Sequence, residues 1–312
     1  MRCLVTGASG HVGAFLTKSL LARGCEVAAL VRPESDLWRI SDVRDRVTLL
    51  HGALGDSESA ESGLRAWQPE IVFHLAWAGV TGAYRNDPAQ ITRNVAGSLA
   101  LFEAAHGAGM KVWVGAGSQA EYGAVDGVLR EDRMPKPETA YGVAKHCLAV
   151  MTEKLCAMTD TRFLWLRLLA AYGPMDDPRH LLPGVIEQLL SGERPALTPG
   201  EQRWDYLYIE DAAEAICRLA LEKTASGVFN LGSGEAHTVR FLVEAVRDLV
   251  DPALPLGFGE AAYRPDQVMH LQADIAKLTQ ATGWQPQVSL EDGLRRTVAW
   301  HRSRREPKER TQ

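Results

Sequence analysis

Three glycines at three-residue intervals open the chain, in Thr6-Gly7-Ala8-Ser9-Gly10-His11-Val12-Gly13. They lie between a short apolar run and a helical pattern. A strand–turn–helix with this spacing commits the N-terminal part to a βαβ unit. Glycine lets the backbone approach a pyrophosphate closely. The helix that follows presents unpaired N–H groups and a partial positive charge. Gly7, Ser9, Gly10, His11, Val12 and Gly13 are therefore the candidate cradle for a dinucleotide.

The pattern continues through the first half. Strands are expected at 2–5, 26–31, 47–50, 71–75, 111–114 and 163–168, with helices at 12–23, 89–108 and 141–156. Strands that alternate with helices give a parallel sheet covered on both faces, and near-continuous Val/Ile/Leu runs suit such double-sided burial. The fold class expected is α/β, a doubly wound parallel sheet of the Rossmann type with a smaller C-terminal α/β lobe. After Ala170 prolines interrupt the rhythm. A helix is expected at 184–191, a strand at 204–208, a helix at 209–221 and a strand at 228–231. An irregular Pro/Gly-rich segment runs to Pro265, and further helices are expected at 239–249, 275–282 and 290–304. The division expected is 1–170 for the dinucleotide-binding domain and 171–312 for a second lobe, with segments near 204–232 returning to the first. The basic tail from Arg302 to Arg310 reads as a solvated end.

Composition narrows the function classes. Of the 312 residues, 46% are hydrophobic and 23% charged, as in a globular chain with a true core. A formal net charge of -5 gives no basic face for nucleic acid. No apolar run approaches the ~20 residues that span a bilayer. The five cysteines are scattered, without a Cys-x-x-Cys, and read as free thiols of a cytoplasmic protein. The nine histidines show no His-x-x-x-His pairing, so no metal site is expected.

A second motif, Tyr141-Gly142-Val143-Ala144-Lys145, puts a phenol and an ammonium at i and i+4 on one helix face. A nearby cation stabilises a phenolate, so Lys145 and the positive nicotinamide ring of an oxidised cofactor are expected to bring the Tyr141 hydroxyl, free value ~10, towards neutrality. Tyr141 then serves as proton donor or acceptor, and Lys145 also holds ribose hydroxyls. Ser118 follows a strand in Val114-Gly115-Ala116-Gly117-Ser118-Gln119-Ala120-Glu121-Tyr122-Gly123. That places it at the carboxyl edge of the sheet, where α/β proteins bind ligands, as the third member beside a substrate carbonyl.

The end of the second strand reads Leu30-Val31-Arg32-Pro33-Glu34. An acidic residue there accepts from ribose hydroxyls, whereas arginine meets a 2′-phosphate. Arg32, with Arg39 as a second candidate, gives an expected preference for NADP(H) over NAD(H).

These residues together resemble the extended short-chain dehydrogenase/reductase family, in its nucleotide-sugar branch. The resemblance also covers Phe73-His74-Leu75-Ala76, Asn94-Val95-Ala96-Gly97-Ser98-Leu99 and Tyr172-Gly173-Pro174. It continues in Asp205-Tyr206-Leu207-Tyr208-Ile209-Glu210-Asp211, Asn230-Leu231-Gly232-Ser233-Gly234, Arg264-Pro265 and Gly283-Trp284-Gln285-Pro286. It implies an enzyme acting on a nucleoside-diphosphate sugar, often as a homodimer built on two long helices. It adds Leu54, Leu75 and Ala76 to the cofactor contacts, and Gln119, Arg179, Arg203 and Arg264 to Ser118 as substrate contacts. A guanidinium suits a diphosphate, and Arg264 is the stronger candidate.

Departures from the family pattern select among its reactions. In the 4,6-dehydratases an Asp and a Glu follow the catalytic hydroxyl. Here Gln119 and Ala120 stand there, and neither acts as acid or base. Ala53 replaces the usual Asp that contacts adenine, with Asp56 nearby, and Trp204 replaces an Arg. With Arg32 and the segment Arg264-Pro265-Asp266-Gln267-Val268, the expectation is an NADPH-dependent reductase of a 4-keto-6-deoxy sugar nucleotide, in deoxysugar biosynthesis. The alternative is an NAD-dependent 4-epimerase. A non-catalytic NAD(P)-binding sensor is disfavoured by the intact Ser118, Tyr141 and Lys145.

Overall fold

The computed structural model describes residues 1–54, 57–80, 82–125, 127–264 and 267–305. In chain order the strands are β1 (Arg2–Thr6), β2 (Glu26–Val31), β3 (Val47–His51), β4 (Ile71–His74), β5 (Val112–Ser118), β6 (Val128–Leu129), β7 (Arg162–Leu168) and β8 (Ala170–Tyr172). They continue with β9 (Ala196–Leu197), β10 (Arg203–Trp204), β11 (Tyr206–Tyr208), β12 (Gly227–Leu231), β13 (His237–Thr238), β14 (Gly257–Phe258) and β15 (His270–Ala273). The α-helices are α1 (His11–Ala22), α2 (Ser57–Trp67), α3 (Ala96–Gly107), α4 (Ala140–Met158), α5 (Leu181–Leu190), α6 (Ile209–Leu221), α7 (Val239–Val250), α8 (Ala276–Thr282) and α9 (Leu290–Arg305).

Seven strands form one sheet in the order β12-β7-β5-β4-β1-β2-β3, with every pairing parallel. The order runs outward in both directions from β1, as in a doubly wound Rossmann sheet. Alternate residues of one strand serve different faces. Cys3 and Val5 join a core with Leu16 and Leu20 of α1 and Ile216 and Leu219 of α6. Leu4 between them joins a second core with Leu64 of α2, Phe102 of α3 and Leu148 of α4. A third core packs Leu182 and Ile186 of α5, Leu242 and Val246 of α7 and Leu294 and Val298 of α9 around Tyr172 and Tyr208. Among the described residues, no helix is long and apolar enough to cross a membrane.

Four elements differ from the sequence reading. First, β5 runs on to Ser118, although Gly115 and Gly117 read as loop. A Cβ on either glycine would lie 2.3 Å from the Trp165 indole of β7, so the strand accepts the indole only where side chains are missing. Second, the expected strand over 204–208 is two strands in different sheets, β10 and β11. Asp205 parts them. Its buried carboxylate accepts from the Ser233 N–H and hydroxyl (both 2.6 Å), the Gly234 N–H (3.0 Å) and the Ala273 N–H (3.1 Å). Third, α2 is absent from the sequence reading. Its sequence, Ser-Glu-Ser-Ala-Glu-Ser-Gly-Leu-Arg-Ala-Trp, carries few apolar positions, and Leu64 is fully buried. Fourth, the helix expected over 89–108 begins with a wider π-type turn, Gln90–Val95, before α3. Of the basic tail, Arg302 to Arg305 belong to α9 and the rest lies outside the described residues.

Candidate active site

The glycine turn connects β1 to α1. Gly7 has φ 75°, and a Cβ there would lie 2.8 Å from the Ala76 nitrogen; one on Gly13 would lie 2.1 Å from the Gly7 carbonyl oxygen. Only glycine lets the turn, α1 and the end of β4 come this close. Gly10 stands at the N-cap of α1 with no side-chain cap, so the first-turn N–H groups have no side-chain acceptor from that position. This is the physical requirement for a pyrophosphate.

The turn is held from the second half of the chain. His11 Nε2 lies 3.0 Å from the Pro174 carbonyl oxygen, and its Nδ1 lies 3.3 Å from Asp176. Asp176 also receives His180 at 2.9 Å. The two imidazoles hold its carboxyl well below the usual carboxylate range, against burial, and Asp176 raises His180 in return. Arg39 donates to the Met175 and Ser9 carbonyls, at 2.8 and 3.1 Å. Its guanidinium therefore clamps the turn rather than waiting at the end of β2. Arg32 does stand there, 62% exposed, with Glu34 at 3.4 Å.

Ser118, Tyr141 and Lys145 converge beside this turn. Thr139 caps α4 by accepting from the Gly142 N–H at 3.1 Å, which fixes the helix start one residue before Tyr141. Tyr141, Lys145, Val12, Leu75, Trp77, Ala116 and Leu168 line one cavity of about 140 Å³. Ser118, the last residue of β5, is buried; its hydroxyl accepts from the Ala120 N–H at 3.2 Å and favours the charged form of Tyr141. The Lys145 ammonium donates to the Ala116 carbonyl at 2.6 Å and lies 3.7 Å from the Trp77 ring centre.

The electrostatics correct one expectation. Burial raises the Tyr141 hydroxyl above its ordinary value, although Ser118 and the Arg85 charge pull the other way. The Lys145 ammonium, 5.9 Å from the Tyr141 ring centre, does not offset that burial. Burial instead brings the Lys145 ammonium down to about 7, with Glu121 opposing that shift.

Behind the cavity runs a chain of hydrogen bonds. The Ala76 N–H donates to Thr6 Oγ1 (3.1 Å), which lies 2.9 Å from His74 Nδ1. His74 Nε2 lies 2.7 Å from Ser98 Oγ, and the Ser98 hydroxyl donates to the Asn94 carbonyl at 2.6 Å. Ser98 has one proton and gives it to Asn94, so Nε2 of His74 is the protonated nitrogen and Nδ1 accepts from Thr6. Burial and the Lys145 charge bring His74 down to about 3, which keeps the ring neutral. Asn94 in turn exchanges two hydrogen bonds with Ala78, at 3.0 and 2.9 Å, and Trp77 donates to Gln90 at 2.7 Å. The segment after β4 is thereby fixed against the cavity.

The other expected contacts separate. Gln119 and Arg264 line a second cavity, about 60 Å³, with Arg85, Glu138 and Trp204. Arg203 does not line it: neighbouring strand residues face opposite ways, and its guanidinium donates to the Ala236 carbonyl at 2.8 Å. Arg179 is 73% exposed and pairs with Asp177 at 2.5 Å, away from both cavities. Leu54 packs on the second core, and Ala76 supplies the N–H already described. Asp56, Pro265 and Asp266 lie outside the described residues.

Sequence reasoning passes over Trp77, Arg85, Gln90 and the pair Glu121–Arg167. One signal was present. Arg167 is a buried cation in the run Arg-Phe-Leu-Trp-Leu-Arg-Leu, whose other arginine, Arg162, stands at the strand start, and a charge inside such a strand requires a buried partner. That partner, Glu121, also accepts from the Ser118 N–H at 2.8 Å and the Trp165 indole at 2.9 Å.

The sequence profile described as the NAD dependent epimerase/dehydratase family matches residues 3–232. A UDP-glucose 4-epimerase of Mycolicibacterium smegmatis is 29% identical, covering 97% of this chain and 99% of that protein. A dTDP-glucose 4,6-dehydratase of Salmonella typhimurium is 25% identical, covering 96% and 92%. Among solved structures, a Thermus thermophilus UDP-glucose 4-epimerase in complex with NAD superposes with a TM-score of 0.87 at 28% identity, covering 97% and 99%. A Thermotoga maritima UDP-glucose 4-epimerase with UDP-glucose gives the same values.

Proposed function

The chain belongs to the NAD-dependent epimerase/dehydratase family, and within it we propose an oxidoreductase that acts on a ring carbon of a nucleoside-diphosphate sugar through Ser118, Tyr141 and Lys145. The observation that carries this reading is the convergence of Tyr141, Lys145 and the hydroxyl of Ser118 beside Val12 of the glycine turn and Leu75 of the β4 edge. The turn suits a dinucleotide because Gly7 and Gly13 let it close against α1 and the end of β4, where a Cβ would strike backbone, and Gly10 leaves the start of α1 without a side-chain cap. A nicotinamide dinucleotide, when bound, supplies the hydride acceptor and donor. Gly7, Ser9, Gly10, His11, Val12 and Gly13 would hold its pyrophosphate, and Leu75, Ala76 and Lys145 its nicotinamide end.

The chain's own residues manage the proton. The Tyr141 oxygen takes the hydroxyl proton as an alcohol is oxidised and returns it as a ketone is reduced. Ser118 orients the same oxygen, where negative charge grows and a donor lowers the barrier most. We assign 1–170, with segments near 204–232 that return to it, to cofactor binding and the rest of 171–312 to the sugar nucleotide, with Arg264 and Gln119 as contacts.

Reversible 4-epimerisation is the reading that the names and coverage of the relatives support. Net NADPH-dependent reduction of a 4-keto-6-deoxy sugar is the second. It is favoured by Arg32, which stands exposed at the end of β2. Gln119 and Ala120 argue against dehydration, which needs an acid and a base after Ser118. We further propose a homodimer through α4, where Val143, Val150, Met151 and Met158 are exposed along one helix face.

The experiment is to mix the protein with nicotinamide cofactors and a panel of sugar nucleotides. Conversion of a non-keto sugar to its epimer without net cofactor consumption supports epimerisation. Stoichiometric NADPH loss with a keto sugar supports reduction. No turnover with any member, with cofactor bound, speaks for the sensor reading.

A further inference from the structure

We propose that Arg85 is a positioning residue for the charge of Tyr141: from a turn outside α4, its guanidinium faces the tyrosine ring and supports negative charge on the phenolic oxygen. The proposal rests on Tyr141 being the proton carrier.

Arg85 lies on a short 3₁₀ turn, Gly82–Asn86. Its guanidinium carbon is 5.6 Å from the centre of the Tyr141 ring, within the reach of a cation–π contact. The turn is pinned on both sides. The Asn86 side-chain oxygen accepts from the Ala140 N–H at 3.0 Å, at the first residue of α4. The Tyr84 carbonyl accepts from Gln90 at 2.9 Å and from the Asp87 N–H at 3.2 Å. Arg85 Nε is buried with no hydrogen-bond partner among the described residues. A loop cation held over a ring with an unsatisfied, desolvated N–H is costly to maintain unless the charge has a use.

Lys145 does not fill that role by itself. Its ammonium is 5.9 Å from the Tyr141 ring centre, but it is engaged by the Ala116 carbonyl and the Trp77 face. Burial brings it down to about 7, so its positive charge fades as pH rises through neutrality. A guanidinium stays charged throughout. The other charge bearing on Tyr141 is Glu121, from the turn after β5, which opposes phenolate formation. Glu138 and Arg264 line the cavity that Arg85 shares. Arg85 is thus the fixed cation that offsets Glu121 while Lys145 titrates.

The test is the ultraviolet titration of tyrosinate in wild type, Arg85→Gln and Arg85→Lys. Each is measured against its Tyr141→Phe counterpart, so that the difference reports Tyr141 alone, with circular dichroism confirming a folded chain. Arg85→Gln is expected to move the Tyr141 midpoint up by about one pH unit, roughly a tenfold smaller phenolate fraction below it. Arg85→Lys is expected to restore it. An unmoved midpoint in Arg85→Gln overturns the proposal. So does an unmoved midpoint with a raised KM for the sugar nucleotide, which would place the guanidinium on the substrate instead. A moved midpoint in a protein that turns over no substrate sustains the charge pairing and sinks the oxidoreductase reading. Loss of turnover in Tyr141→Phe with an unmoved midpoint in Arg85→Gln does the reverse.

Discussion

The Glu121 carboxylate and the Arg167 guanidinium meet at 2.9 Å, with side chains 0% and 5% exposed. Glu121 also anchors the Ser118 main chain and the Trp165 indole. Removing one partner strands the other charge in a dry interior. Arg167→Met is therefore expected to destabilise the fold by about 3–5 kcal/mol. Urea unfolding curves of the two proteins check this, and a loss under 1 kcal/mol would contradict it.

Tyr141→Phe keeps the ring against Trp77 and deletes only the hydroxyl. Turnover is expected to fall by about 10²- to 10⁴-fold, with cofactor affinity unchanged. Steady-state rates and a cofactor titration by fluorescence separate the two. Retained turnover would remove Tyr141 from the chemistry.

Arg32→Ala is expected to weaken NADP binding about tenfold and to leave NAD unaffected, the loss of one charge-assisted phosphate contact. Glu34→Gln, which frees Arg32 from its 3.4 Å neighbour, is expected to act in the opposite sense. Calorimetric titration with each dinucleotide decides. Equal losses for both would deny Arg32 any part in discrimination.

The shared carboxylate of Asp176 gives a pH signature. His180 is raised by Asp176, so its contribution is fully present below pH ~6.5 and is lost as pH rises through its higher folded value. Asp176 is lowered, so its contribution is present above pH ~3.9 and is lost as pH falls. The stability gap between wild type and His180→Gln is therefore expected to be open at pH 5.5 and to narrow towards pH 8.5. Denaturation midpoints across that range test it. A gap independent of pH would mean that His180 holds Asp176 without its charge.

Val150, 50% exposed on α4, is the position to probe for self-association. Val150→Glu is expected to convert a dimer to a monomer, read by light scattering after size exclusion. A wild-type monomer would remove the dimer proposal.

The parts of the fold that were legible in the sequence are those set by local pattern. The apolar runs of β1, β2, β4 and β7 and the glycine turn announce the parallel sheet, and Tyr141 with Lys145 announces the shared helix face. What was hidden depends on partners distant in sequence. Nothing local shows that Gly115 and Gly117 make room for Trp165, or that Asp205 ends one strand to serve residues 233, 234 and 273. Arg203 and Trp204 are neighbours, and only the sheet they enter decides which faces the cavity. The direction at Tyr141 in the protein alone was hidden because burial is a property of the assembled site. An i, i+4 spacing brings the ammonium near, but desolvation of both groups outweighs it.

Asp205 ties the segment after β12 and the end of β15 to its own stretch of chain, because one carboxylate accepts hydrogen bonds from Ser233, Gly234 and Ala273 at once. Such a latch opens all together or not at all. The amides of those three residues should exchange with deuterium as a single cooperative unit, and Asp205→Asn should uncouple them into separately breathing segments.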